Sequence, residues 1–113
     1  MTTREEWLAL AERCAAAEGP GIGLDLDIGF AAGISVSLTL PYTASLDAIT
    51  GLIARALPGW HWEVGADRSA MMRKPNRPAK RALAIDDICI WQGVSPALAL
   101  CEAFCHAMAE KAK

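Results

Sequence analysis

Apolar residues recur at helical spacing in three stretches of the chain. Trp7, Leu8, Ala11, Cys14 and Ala15 form the first stripe, which predicts a helix over about residues 3–18. Thr3 followed by Glu6 fits a capping box, and Gly19-Pro20 ends the run because proline cannot continue the backbone ladder. The second stripe, Leu46, Ile49, Leu52, Ile53, Ala56 and Leu57, predicts a helix over about residues 45–57. Ser45 is its N-cap, Asp47 sits in the first turn where the helix dipole favours an acid, and Pro58-Gly59 stops it. The third helix starts at Ser95-Pro96, where proline in the first position loses no hydrogen bond. Ala97, Cys101, Phe104, Cys105 and Met108 then line one face to about residue 112.

Between the helices the period changes to two. Trp60, Trp62 and Val64 alternate with His61 and Glu63, as in a strand with one face on a core. Gly65 to Arg68 turns the chain into a second strand over residues 69–74. Pro75 and Pro78 mark a loop, and Ile88, Cys89 and Ile90 suggest a last strand. Ile34, Val36, Leu38 and Leu40 alternate with Ser35, Ser37 and Thr39, which predicts another strand, closed by Pro41. Residues 23–32 fit both periods: Leu24, Leu26, Ile28 and Phe30 alternate, while Leu24, Ile28 and Ala31 lie at helical spacing. The sum is one α+β domain over residues 1–113, with about three main helices packed on a small antiparallel sheet.

Composition narrows the function. With 113 residues, 53% of them hydrophobic, the chain closes a single core rather than staying disordered. A net charge of −2 argues against a general nucleic-acid coat. No apolar run approaches the roughly 20 residues of a membrane helix, and the start MTTREE enters an amphipathic stretch, so a cytoplasmic protein without membrane contact is expected. Cys14, Cys89, Cys101 and Cys105 lack CxxC spacing and read as free, small core thiols. Cys101, Cys105 and His106 do not share one helix face, so no metal site is expected, and no cofactor motif is present. His61 and His106 stand near no recognised nucleophile motif, Asp86-Asp87 read as a turn or bulge, and no catalytic residues are assigned. Asp25 and Asp27 would share a face on the strand reading.

The clearest asymmetry is charge. Arg68, Arg73, Lys74, Arg77, Lys80 and Arg81 place six cations in fourteen residues with no acid among them. The other five cations share the chain with all thirteen acids, leaving −8 outside the cluster. Arginine forks suit carboxylates and phosphates alike, so these six residues are the candidate partner-binding set. Trp60, Trp62 and Trp91 fit either a stacking platform for bases or the sheet's buried face, and they lack an RNA-recognition motif's glycine and aromatic pattern.

The segments REEWLALAERCAAAEGP, YTASLDAITGLIARALPGWHW and SPALALCEAFCHAMAEKA, in that order, resemble a family of small bacteriophage and prophage proteins with the phage ABA-sandwich domain. The resemblance implies an αβα sandwich, expression in a bacterial host's cytoplasm, and a helix over residues 23–32. It supplies no catalytic residues. A non-enzymatic accessory protein is therefore expected, one that binds a host or phage protein and in its most concrete form inhibits a host defence or regulatory protein. The alternatives are a nucleic-acid-binding module using Arg68–Arg81 and a small structural protein of the virion that forms homo-oligomers.

Overall fold

The computed structural model describes residues 2–65, 69–73, 88–92 and 95–112. Four helices and three strands follow in the order α1 (Arg4–Ala16), α2 (Ile22–Ala31), α3 (Leu46–Ala56), β1 (His61–Val64), β2 (Ser69–Arg73), β3 (Ile88–Gln92) and α4 (Pro96–Lys111). The class is α+β, and α2 makes four helices where about three main ones were expected.

Helix starts match the capping chemistry. The Thr3 hydroxyl accepts from the Glu6 amide while the Glu6 carboxylate accepts from the Thr3 amide, both at 3.2 Å, completing the capping box. Ser45 accepts from Ala48 N and Ser95 from Leu98 N. On α1 the buried residues are Trp7, Leu10, Ala11 and Cys14; Leu8 is half-buried and Ala15 exposed, so the stripe lies slightly rotated from the one expected. At the end of α3, Pro58 and Gly59 turn the chain sharply: Gly59 has φ 86°, and Trp60 N donates to Leu57 O. This is the geometry that Pro-Gly favours in a type II turn. Lys111 closes the same end by donating from Nζ to Ala56 O at 3.1 Å.

The stretch after Gly19-Pro20 resolves as helix. α2 ends in a Schellman arrangement: Gly33, at φ 84°, donates to Phe30 O, and Ile34 N reaches Gly29 O at 2.8 Å. That turn redirects the chain, and the strand expected over Ile34–Leu40 does not form. Val36–Leu38 is a single 3-10 turn instead. Its polar positions bond locally, with Leu38 N donating to Ser35 O and Thr39 Oγ1 donating to Ser35 O. Hydroxyl residues offer the backbone this alternative to a ladder, and alternation alone cannot supply a neighbouring strand. Val36, Leu38 and Leu40 are left exposed.

The three strands form one antiparallel sheet in the order β1-β2-β3. Trp62 pairs with Met72 and Val64 with Ala70. Met72 and Ala70 are buried, and Trp62, Val64 and the preceding Trp60 pack half-buried against the same core. Trp60 precedes β1 rather than belonging to it. The core reading of these two tryptophans therefore fits better than a stacking platform; the side chain of Trp91 lies outside the described residues.

α4 packs on all three strands, on α1 and on α3. The layers run sheet, α4, α1, with α4 rather than the sheet in the middle. Every residue from Ala97 to Cys105 is buried, more than two full turns, where a single buried face was expected. The reason lies in composition. Apart from Glu102, the residues from Ala97 to Cys105 are apolar on every side of the helix and need cover there, and the alanines let neighbouring elements approach.

Candidate interaction surfaces

The basic cluster divides at β2. Arg68 precedes the strand and Lys74, Arg77, Lys80 and Arg81 follow it, so the two groups join opposite ends of an element about 13 Å long. Arg73 is the last residue of β2, its backbone in register with His61 on one side and Ile88 on the other. Arg68, Lys74, Arg77, Lys80 and Arg81 themselves, together with Asp86 and Asp87, lie outside the described residues. The strand boundaries show that fourteen residues, 74–87, join β2 to its neighbour β3, far more than the two to five of a usual hairpin loop.

A second surface was not anticipated. Among the described residues the exposed large hydrophobics are Ile22 (79%), Phe30 (79%), Val36 (70%), Leu38 (64%), Leu40 (53%) and Leu46 (36%), and all six fall within residues 22–46. These residues are carried by α2, the segment folded back along it and the first residue of α3. Gly29 permits that approach, since a Cβ there would sit 2.8 Å from Thr39 Oγ1. Farther along, buried Asp25 accepts from Thr43 N at 2.7 Å and from Thr43 Oγ1 at 2.8 Å, and Gly21 N donates to the same hydroxyl. The helix thus separates the two aspartates that a strand would have placed on one face. Asp25 is buried against Thr43, whereas Asp27 is exposed and paired with Arg13 at 2.6 Å. Between α1 and α2 runs a groove of about 280 Å³, walled by Leu10, Phe30 and Ala31 and rimmed by Thr2, Glu6 and Arg13.

Three thiols meet where α4 faces α1. Cys14, Cys101 and Cys105 are free and buried. Cys101 Sγ donates to Tyr42 O at 3.2 Å. Burial, then the neighbouring Cys14 and Asp25, push the Cys101 thiol well up. A hydrogen bond with Cys14 and then burial do the same for Cys105. Among the described residues no group of three or more His, Cys, Asp or Glu side chains is arranged to hold a metal ion. The side chain of Cys89 lies outside the described residues. Neutral, buried thiols react slowly, so Cys101 and Cys105 should resist iodoacetamide in the native protein and label fully in denaturant, as read by peptide mass spectrometry. Rapid native labelling of either would show that the α1–α4 contact opens.

Of the two histidines, His61 is exposed on the outer face of β1, 3.0 Å from Glu63. His106 lies 3.7 Å from the buried Glu102 one turn earlier on α4. Burial raises the Glu102 carboxyl above its ordinary 4.5 and lowers His106 below 6.5. The raised group contributes stability below about pH 4.5 that is lost as pH rises through its folded value. The lowered histidine contributes stability above about pH 6.5 that is lost as pH falls through its folded value. Glu102→Gln should therefore gain stability relative to the native protein between about pH 4 and pH 7, measured by urea denaturation. A difference independent of pH would remove Glu102 from this account.

Among the described residues no helix is long and apolar enough to cross a membrane. Compared with protein-family models, curated proteins and solved structures, the chain matches none.

Proposed function

We propose that this is a non-enzymatic accessory protein of phage or prophage origin. It acts in the host cytoplasm by binding a host protein, in its most concrete form a defence or regulatory protein. The supporting observation is the segregated charge. Four of the six clustered cations occupy the fourteen-residue connection between β2 and β3, Arg73 stands at its start, and the chain outside the cluster carries −8. A connection this long between adjacent antiparallel strands exceeds what closure requires, and long connections in compact domains commonly serve recognition. Exposed charge pairs contribute only about 0–1 kcal/mol each, so the segment steers and orients a partner held also by apolar contact.

The test exchanges Arg73, Lys74, Arg77, Lys80 and Arg81 for serine or glutamine and compares protein capture from host lysate. Loss of a defined protein partner, with an unchanged circular dichroism spectrum, supports the reading; unchanged capture and association rate refute it. Retention of nucleic acid that falls steeply with salt would instead establish the nucleic-acid alternative.

A further inference from the structure

We infer that residues 22–46 form the interface of a homodimer in which α2 and the Val36–Leu38 turn of one copy pack on the same face of a second. The inference does not depend on what the basic segment binds. At the exposures given above, the six side chains present on the order of 700 Å² of surface, close to the ~800 Å² that each partner contributes to a standard interface.

Charge selects the occupant. No lysine or arginine occurs between Arg13 and Arg55. Of the two acids within residues 22–46, Asp25 is buried on Thr43 and Asp27 is paired with Arg13. Residues 22–46 offer a nucleic acid no cation to neutralise its phosphates, Arg13 on the groove rim is already paired with Asp27, and an anionic lipid surface would find none of the basic residues that interfacial helices carry. A second copy meets neither difficulty. Apolar side chains face apolar side chains, and depletion of charge at the centre is the pattern of homodimer interfaces.

Shape points the same way. Phe30 stands on the wall of the α1–α2 groove and is 79% exposed. A two-fold axis brings each copy's Phe30 to the other's groove, the isologous exchange that closes a dimer and leaves no open end for a filament. The Arg13–Asp27 pair and Glu6 then lie on the polar rim. α2 packs on α1, and α1 on the side of α4 away from the strands. Dimerisation through α2 therefore leaves both sheets facing outward, making the assembly bivalent for anything bound at the β2–β3 connections.

Sedimentation velocity of the full chain over a dilution series is the test, with Phe30→Asp and Val36→Lys as separate variants. Both positions are exposed, so each variant is expected to retain the native circular dichroism spectrum. The native protein should sediment as a dimer, and each variant should raise the dissociation constant about 100-fold or more, because a two-fold interface counts every substitution twice. The variant lacking the five basic residues should remain a dimer, so loss of host-protein capture in that variant reports on function alone. A native protein monomeric on the order of 100 μM overturns the inference, as does dimerisation that both surface variants leave intact. Monomers that float with phosphatidylcholine vesicles would overturn it in favour of a lipid occupant.

Discussion

Replacing Phe104 with alanine should lower the free energy of unfolding by about 3–5 kcal/mol. Phe104 is fully buried near the middle of α4 and meets Trp7 of α1 edge to face, with ring centroids 5.7 Å apart and planes at 88°. Such a pair adds about 0.5–1.5 kcal/mol beyond the area it buries. The layer order makes the loss large. α4 lies between α1 and the sheet, so a cavity there closes only if whole elements move. Small domains are stable by about 5–15 kcal/mol, so the loss removes from a fifth of the total to nearly all of it. Equilibrium urea denaturation gives the number, and Phe104→Leu, which refills most of the space, should recover a large part of it. A loss below about 1 kcal/mol would mean that the α1–α4 contact is loosely packed.

Asp25→Ala should cost about 2–3 kcal/mol, although it removes a residue from a helix whose other acid is a surface side chain. Asp25 is 6% exposed and Thr43 fully buried, and the carboxylate accepts from both the Thr43 amide and its hydroxyl. Without it, a buried N–H loses its partner, and the segment that covers Gly29 is released from the start of α2. Asp25→Asn retains a carbonyl oxygen and should cost less. Thr43→Val removes the hydroxyl but leaves the amide bonded, so a double-mutant cycle with Asp25→Ala should show coupling of about 1 kcal/mol or more. Stability of Asp25→Ala within about 0.5 kcal/mol of the native protein would show that water replaces the carboxylate at no cost.

Much of the architecture is written locally. Thr3 with Glu6, Ser45 and Ser95-Pro96 start three helices within a residue of where their chemistry demands, because a cap needs only neighbours three positions away. Pro58-Gly59 ends α3 by the same kind of short-range constraint. The alternation of Trp62 and Val64 with His61 and Glu63 likewise marks which side of β1 meets the core. Gly33 also held a local signal: a glycine just past an apolar helical run is a C-terminal cap, and it separates α2 from the residues that follow.

Partnership was not legible. Ile34–Leu40 has the alternation of a strand, yet a strand exists only where another backbone completes its ladder, and Ser35 and Thr39 closed their own bonds first. Val36, Leu38 and Leu40 consequently face outward and form part of the candidate dimer surface, which no count of hydrophobic residues distinguishes from core. Asp25 and Asp27, two apart, were separated into a buried clamp and a surface ion pair by helical geometry and by Thr43, eighteen residues away. The single stripe expected on α4 became burial on every side because α1 and the sheet lie against opposite flanks of one helix. Caps, turns and periodicity act over a few residues and are therefore carried by the sequence itself. Which apolar face is covered, and which remains open to a partner, depends on elements far apart in the chain and was decided only when they packed.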